Sequence, residues 1–345
     1  MTVTIKELAG RARVSTATVS RALNNDPKVR PETRDLILNL ASQLEYKPNI
    51  LARNFVKKKT NIIGIVLPEA VDGFFTEFIR GIDEVACASS YNTMIADTHK
   101  ERTIIESIIS FSARGVVDGI VIMAPSLTER LKEALFRCEI PVVIINGKSE
   151  LDQYDSVGID NFQGAYSITD YLVRTLGYRK IAHITGPSLN NDAVERKNGY
   201  LSALKENGLT VNENWIINGD FTVKSGENAC LRLLSLPDKP EAIFAANDMS
   251  AIGCYKAIES FGLRIPDDIG IAGYDDVFVS QFLSPRLTTV HVPIQELGRT
   301  SAILLIQRIK ETKRNQEDPV KRTHIKISTG VVVGKSCKFH DWKKF

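Results

Sequence analysis

Residues 4–24, TIKELAGRARVSTATVSRALN, decide how this chain is read. Thr4 followed three residues later by Glu7 is the pattern of a capping box, and Leu8 and Ala12 recur at helical spacing, so a helix is expected over about residues 5–12. Arg13 and Val14 make the turn. Ser15 is a second N-cap, after which Val19 and Leu23 fall on one face and Thr16, Ala17, Ser20 and Arg21 on the other. A short helix with a small polar face and one guanidinium suits the major groove of DNA. Small side chains permit close approach there, and Arg donates a bidentate pair to guanine. A third helix has Pro31 near its first position, Glu32 in its first turn, and Ile37, Leu40, Ala41 and Leu44 as its buried stripe. The plainer reading of the same pattern is a generic three-helix cap with a solvated polar face.

Charge separates the two readings. Residues 1–60 hold twelve Lys and Arg against five Asp and Glu, a net of +7, whereas the whole chain is +3 and the remainder therefore −4. A basic head on a mildly acidic body is the footprint of phosphate binding at one end. Pro48 stops the third helix and can begin another, to which Ile50, Leu51, Ala52, Phe55 and Val56 give an apolar side too small to be stable alone.

At 345 residues, 43% apolar and 25% charged, the chain has material for more than one domain. It has no run of 18 apolar residues, and Lys6, Glu7, Arg11 and Arg13 interrupt the start, so neither a membrane span nor a secretory leader is expected and the expected compartment is the cytoplasm. Five cysteines, at 87, 138, 230, 254 and 337, never form a CxxC pair; a disulfide framework and a zinc site are not expected, and most should be buried thiols. The five histidines are scattered without metal or triad spacing. No metal, cofactor or catalytic constellation is expected. The run 330–336, GVVVGKS, departs from a P-loop by one residue between its glycines and has no room for a following helix, so it reads as a terminal strand.

From Ile62 onward short apolar runs alternate with amphipathic helices: 62–67, 119–123, 141–145, 156–159, 180–185, 242–245, 269–272 and 288–292. Continuous Val/Ile strands separated by helices predict parallel sheet covered on both faces, a doubly wound α/β body. Such sheets bind ligands beyond the carboxyl ends of their strands. The residues that follow the runs are Phe74 and Phe75, Asn146, Asp160 and Asn161, Asn190 and Asp192 with Arg196 a turn later, Phe221, Asn247 and Asp248, and Tyr274 to Asp276. Aromatic rings, one Arg and several carboxylates and amides suit a sugar, whose apolar face packs on rings while its hydroxyls are forked by Arg and Asp. Other readings are an N-cap for Asp248, core packing for Phe75 and an interlobe ion pair for Arg196.

Thr4 to Ala9, Val14 to Asn24, Tyr46-Lys47-Pro48-Asn49 and Ala52-Arg53 resemble the head of the LacI/GalR repressors, and the resemblance continues through nearly the whole chain. It implies a helix-turn-helix head over 1–47, a hinge helix and linker over 48–60, and a two-lobed body of the periplasmic binding protein-like type I fold over 61–337. A tail, 338–345, is too short for a tetramerising coiled coil. Chain crossovers between the lobes are implied near 160–162, 289–293 and 323–326. The implied molecule is a homodimeric regulator, a repressor of a carbohydrate operon, that binds palindromic operator DNA under control of a sugar-like effector. By position, Thr16, Ala17 and Arg21 would contact bases and Thr18 and Ser20 phosphates. In the hinge, Asn49 and Ala52 would meet DNA and Phe55 would wedge into the central base step. Arg196, Asp248 and Asp275 are the foremost implied effector contacts, with Phe74, Asn146, Asn190, Asp192 and Phe221 beside them. Ser15-Thr16 and Gly219-Asp220-Phe221 look like purine-responsive members, but those carry an additional Arg at the position of Asn190 and a hydroxyl residue at that of Asp192. A purine effector is therefore the second reading, and a sugar-binding protein without specific DNA binding the more distant one.

Overall fold

The computed structural model describes residues 3–46, 59–68, 73–98, 101–113, 115–124, 126–146, 153–312 and 321–339. Contacts divide the chain into two units, Met1–Thr60 and Asn61–Phe345.

The described residues of the first unit form three helices, α1 (Ile5–Ala12), α2 (Thr16–Leu23) and α3 (Pro31–Gln43). The capping box forms in both directions: the Thr4 amide donates to Glu7 Oε2 at 2.8 Å and the Glu7 amide to Thr4 Oγ1 at 3.3 Å. Arg13 takes the left-handed conformation that ends α1, φ 55° and ψ 40°, which costs a non-glycine residue about 1–2 kcal/mol. Leu8, Ala9, Ala12, Val19, Ala22, Val29, Ile37 and Ala41 fill the core, with Leu40 and Leu44 packed against it. Arg34 belongs to this scaffold, because its guanidinium donates to the Asp26 carbonyl at 2.7 Å and holds the loop before α3.

The second unit has two lobes. In the first, six parallel strands run in the order β11-β5-β4-β3-β1-β2: β1 (Ile62–Pro68), β2 (Asn92–Thr98), β3 (Gly119–Met123), β4 (Val142–Ile145), β5 (Asp155–Ile159) and β11 (His324–Ile327). Around them lie α4 (Gly73–Ala88), α5 (Glu101–Ala113), α6 (Glu129–Phe136) and α11 (Ile294–Thr312). In the second lobe four parallel strands run β7-β6-β8-β9, that is β7 (Ile216–Asn218), β6 (Ile181–Thr185), β8 (Ala242–Ala245) and β9 (Gly270–Ala272). Its helices are α7 (Asn161–Asp170), α8 (Asn191–Glu206), α9 (Val223–Leu234) and α10 (Asp248–Ser260). A two-stranded antiparallel ribbon, β10 (Thr289–His291) with β12 (Gly330–Val332), joins its edge.

The third crossover departs from expectation. Residues 324–327 are strand β11, paired with β5 (Ile325↔Val157), and the chain changes lobe only after it, at Ser328. An edge strand with one solvated face alternates Ile with His and Lys, so no apolar run marks it. The same reason hides β2 and β7, which also lie at sheet edges. The thiols correct a second expectation: only Cys230 and Cys254 are buried, Cys138 and Cys337 are partly so, and Cys87 is exposed.

His183 in β6 is fully buried between Phe244 and Tyr200, ring centroids 4.7 and 4.9 Å away. Its Nδ1 lies 2.8 Å from the Phe244 carbonyl and therefore carries the proton, while Nε2 has no partner among the described residues. Burial pushes its pKa down from 6.5 to about 4. Between those values the unfolded chain binds the proton and the folded chain does not, so stability is lost as pH falls through this window, by roughly 3 kcal/mol in total. His183→Phe keeps the stack and removes this loss, at the expense of one hydrogen bond of about 1 kcal/mol. Urea unfolding should show the variant less stable than wild type at pH 7.5 and more stable at pH 4.5; parallel curves would refute the assignment.

Candidate ligand cleft and DNA-reading helix

The carboxyl ends of β1, β3 and β4 in the first lobe face those of β6, β8 and β9 in the second, and between them lies a cavity of about 130 Å³. Its walls differ in chemistry. The first lobe contributes Pro68, Phe74, Phe75, Met123 and Ala124, with Asn146 at the rear. The second contributes Asn190, Asn191, Asp192, Arg196, Asn247 and Asp275, with Phe221 among them. The rings of Phe74 and Phe75 meet edge to face at 5.6 Å.

Arg196, only 4% exposed, organises the polar wall. Its Nε donates to Asn161 Oδ1 at 2.8 Å, Nη1 to the Ala246 carbonyl at 2.6 Å, and Nη2 faces Asp275 Oδ1 at 3.2 Å. The guanidinium lies over the Tyr274 ring at 3.8 Å from its centroid. All these partners belong to the second lobe, so Arg196 is not an interlobe ion pair. Asp192 carries the net across: Oδ1 accepts from Asn161 Nδ2 at 3.0 Å, and Oδ2 from Asn146 Nδ2 of the first lobe at 2.7 Å. Burial raises the Asp192 pKa to about 6, with Arg196 opposing the rise.

Local backbone aims these groups. Asn190 caps α8, accepting from the Ala193 amide at 3.1 Å, which puts Asp192 in the first turn and Arg196 one turn further on the same face. Asn146, Phe221 and Asp275 all have left-handed backbones, φ 55°, 70° and 105°. Such conformations cost non-glycine residues of order 1 kcal/mol each and collect at binding sites. At the exit of β9, Asp275 turns to Arg196, while Asp276 turns away to His291 Nδ1 at 2.9 Å.

Seven of the eight residues expected to contact a ligand, Phe74, Asn146, Asn190, Asp192, Arg196, Phe221 and Asp275, thus line one cavity. Asp248 does not. It is fully buried, with Oδ1 accepting from Thr289 Oγ1 at 2.6 Å and Oδ2 from the Val277 amide at 3.0 Å, and burial lifts its pKa to about 7. Nor is it the N-cap. That role falls to Asn247, whose Oδ1 accepts from the Ser250 amide at 2.9 Å, leaving Asp248 as the first helical residue pointing the opposite way. Met123, the last residue of β3, and Ala124 just after it also line the cavity, as their place at a strand exit allows; Asn161 and Tyr274 acquire their roles only through Arg196.

In the head, Ser15 caps α2 by accepting from the Thr18 amide at 3.1 Å. Thr16, Ala17 and Arg21 are exposed on one face, with Thr18 and Ser20 half-buried at its margin. The Thr18 hydroxyl lies 2.9 Å from that of Ser15 and is shared with the cap. Asn49, Ala52 and Phe55 lie outside the described residues. Among the described residues no cluster of His, Cys, Asp and Glu could hold a metal ion, and no helix is long and apolar enough to cross a membrane.

Two family models match the chain. Residues 4–49 match that of bacterial regulatory proteins of the lacI family, and residues 60–330 that of periplasmic binding proteins and the sugar binding domain of the LacI family. The chain is 32% identical over 336 residues to the transcriptional repressor PurR of Photobacterium profundum, covering 97% of this chain and 98% of that one. It is 34% identical over 316 residues to catabolite control protein A of Priestia megaterium, covering 90% and 94%. Among solved structures, that of the transcriptional regulator CelR in complex with cellobiose superposes with a TM-score of 0.74 at 28% identity, covering 97% of this chain and 99% of that one.

Proposed function

Because this chain belongs to the lacI family of bacterial regulatory proteins, DNA-binding transcriptional repressors, we propose that it represses a carbohydrate-utilisation operon under control of a sugar or sugar derivative bound in the cleft. One observation carries the ligand class: an aromatic wall of Phe74 and Phe75 stands opposite a net of Arg196, Asp192, Asp275 and amides. Rings cover the apolar face of a pyranose, and carboxylates accept from its hydroxyls. In this reading Phe74, Asn146, Asn190, Asp192, Arg196, Phe221 and Asp275 bind the effector. Thr16, Ala17, Thr18, Ser20 and Arg21 read an operator half-site, with Asn49, Ala52 and Phe55 at its centre. The chain acts as a homodimer on a palindrome, and cleft closure alters the spacing of the two first lobes, and with it how well both heads reach successive major grooves.

A purine is the second reading, favoured by the likeness to a protein named PurR. Against it, the described cleft offers one guanidinium, already engaged by Asp275, Asn161 and a carbonyl.

Genomic fragments retained by the full chain at near-physiological salt test the regulator. A palindrome should be enriched, its affinity falling steeply with salt as phosphate contacts require. No enrichment with or without candidate ligands would refute specific operator binding. Neighbouring genes name the effector class, and melting with a sugar panel or hypoxanthine separates the two ligands, since only a bound one raises Tm.

A further inference from the structure

Asn61, the first residue of the second unit, is held from both sides. Its backbone is left-handed, φ 55°. Its carbonyl accepts from the Asn92 amide of β2 at 2.8 Å, and its amide donates to Asp118 Oδ2, just before β3, at 3.2 Å. The Asp118 amide closes the ring by donating to the Ile62 carbonyl at 2.8 Å. The phenol of Tyr91, 6% exposed, stands near enough that the Asp118 charge adds to burial in pushing its pKa up.

The two strands that leave this clamp end at the cleft. β1 and β3 are paired from Ile63↔Gly119 to Val66↔Ile122, and their carboxyl-end residues Pro68 and Met123 line the cavity. Some six residues at roughly 3.3 Å each put the clamp about 20 Å from the cavity. Both strands are interior to the sheet, so a shift of the cleft wall reaches Asn61 without crossing a loop.

We propose that Asp118 is a positioning residue for operator binding: it pins Asn61 between β2 and β3, fixing where the chain enters the body from the basic head and tying that point to the strands of the cleft wall. This rests on the regulator reading above. A carboxyl side chain suits the task because its oxygen accepts from the Asn61 amide. Without it the left-handed residue keeps only its carbonyl bond to the Asn92 amide, and operator binding has to order its amide side again, a factor of roughly ten for one backbone residue.

The test uses the full chain, the palindrome recovered by genomic selection, and a scrambled duplex of equal composition. Asp118→Ala should weaken operator binding about tenfold per protomer and leave the scrambled duplex within about twofold. Asp118→Asn, which keeps an acceptor oxygen, should lose less than about threefold, and ligand-free Tm should change little in either. Equal losses on both DNAs, no loss, or an Asn variant as impaired as Ala would overturn the proposal. If wild type itself shows no preference, the regulator reading fails separately and the clamp is decided by amide exchange at Asn61. Exchange should then be at least about tenfold faster in Asp118→Ala, and unchanged exchange would overturn it.

Discussion

Arg196→Ala should destabilise the body by roughly 3–5 kcal/mol, the usual consequence of leaving buried charges without their partner. The substitution strips the cation from Asp275 and Asp192, leaves Asn161 Oδ1 and the Ala246 carbonyl without their donor, and uncovers the Tyr274 ring. For a unit of this size a Tm drop on the order of 10 °C follows. pH gives the loss a signature. The folded-state pKa of Asp192, about 6, already exceeds the ordinary 3.8, so the folded chain binds the extra proton and stability falls as pH rises through that value. Removing Arg196 raises it further, so the deficit against wild type should be smaller at pH 5 than at pH 7.5. Arg196→Lys, with the charge but not the planar fork, should fall between. A pH-independent deficit would place the effect in packing instead, and retention of a ligand-induced Tm rise by the Ala variant would remove Arg196 from the site.

Arg21→Ala should abolish discrimination rather than DNA binding. A guanidinium reading guanine is worth roughly 1–3 kcal/mol, and in the proposed homodimer two half-sites double it, so operator affinity should fall by a factor on the order of 10² to 10⁴. Binding to scrambled duplex should change by only a few fold, because the other basic residues of the head remain. Its exposure beside Thr16 and Ala17 leaves Tm unaffected. Competition titrations measure both affinities; equal losses would make Arg21 a phosphate contact.

How far the sequence could be read depended on whether a signal is local. Caps are local, so α1 matches its expected bounds and ends at Arg13, in the expected turn. Interior strands buried on both faces announce themselves as apolar runs, whereas β2, β7 and β11 do not, since an edge strand mixes polar residues with apolar ones. The rule that ligands bind beyond carboxyl ends of parallel strands found most of the cleft because the β–α turns place those residues there regardless of side-chain detail. It failed at Asp248, where neighbouring residues at a strand exit point opposite ways and spacing cannot say which faces the cavity. Asn161 and Tyr274 were illegible as partners of Arg196, because that depends on contacts with residues 35 and 78 positions apart in the chain. Charge counting cannot tell that Arg34, one of the twelve basic residues of the head, holds the loop before α3 through the Asp26 carbonyl.

The order of synthesis gives strand β11 one further consequence. The sheet of the first lobe is completed by residues 324–327 on β5, and α11, which packs on α4, also comes late. The ribosome must therefore make nearly the whole chain before this lobe can close. The three-helix head has its own core within residues 3–46 and needs nothing downstream to assemble. At about 5–20 residues per second, a nascent chain carries a folded three-helix head for roughly 15 to 60 s before the first lobe is complete.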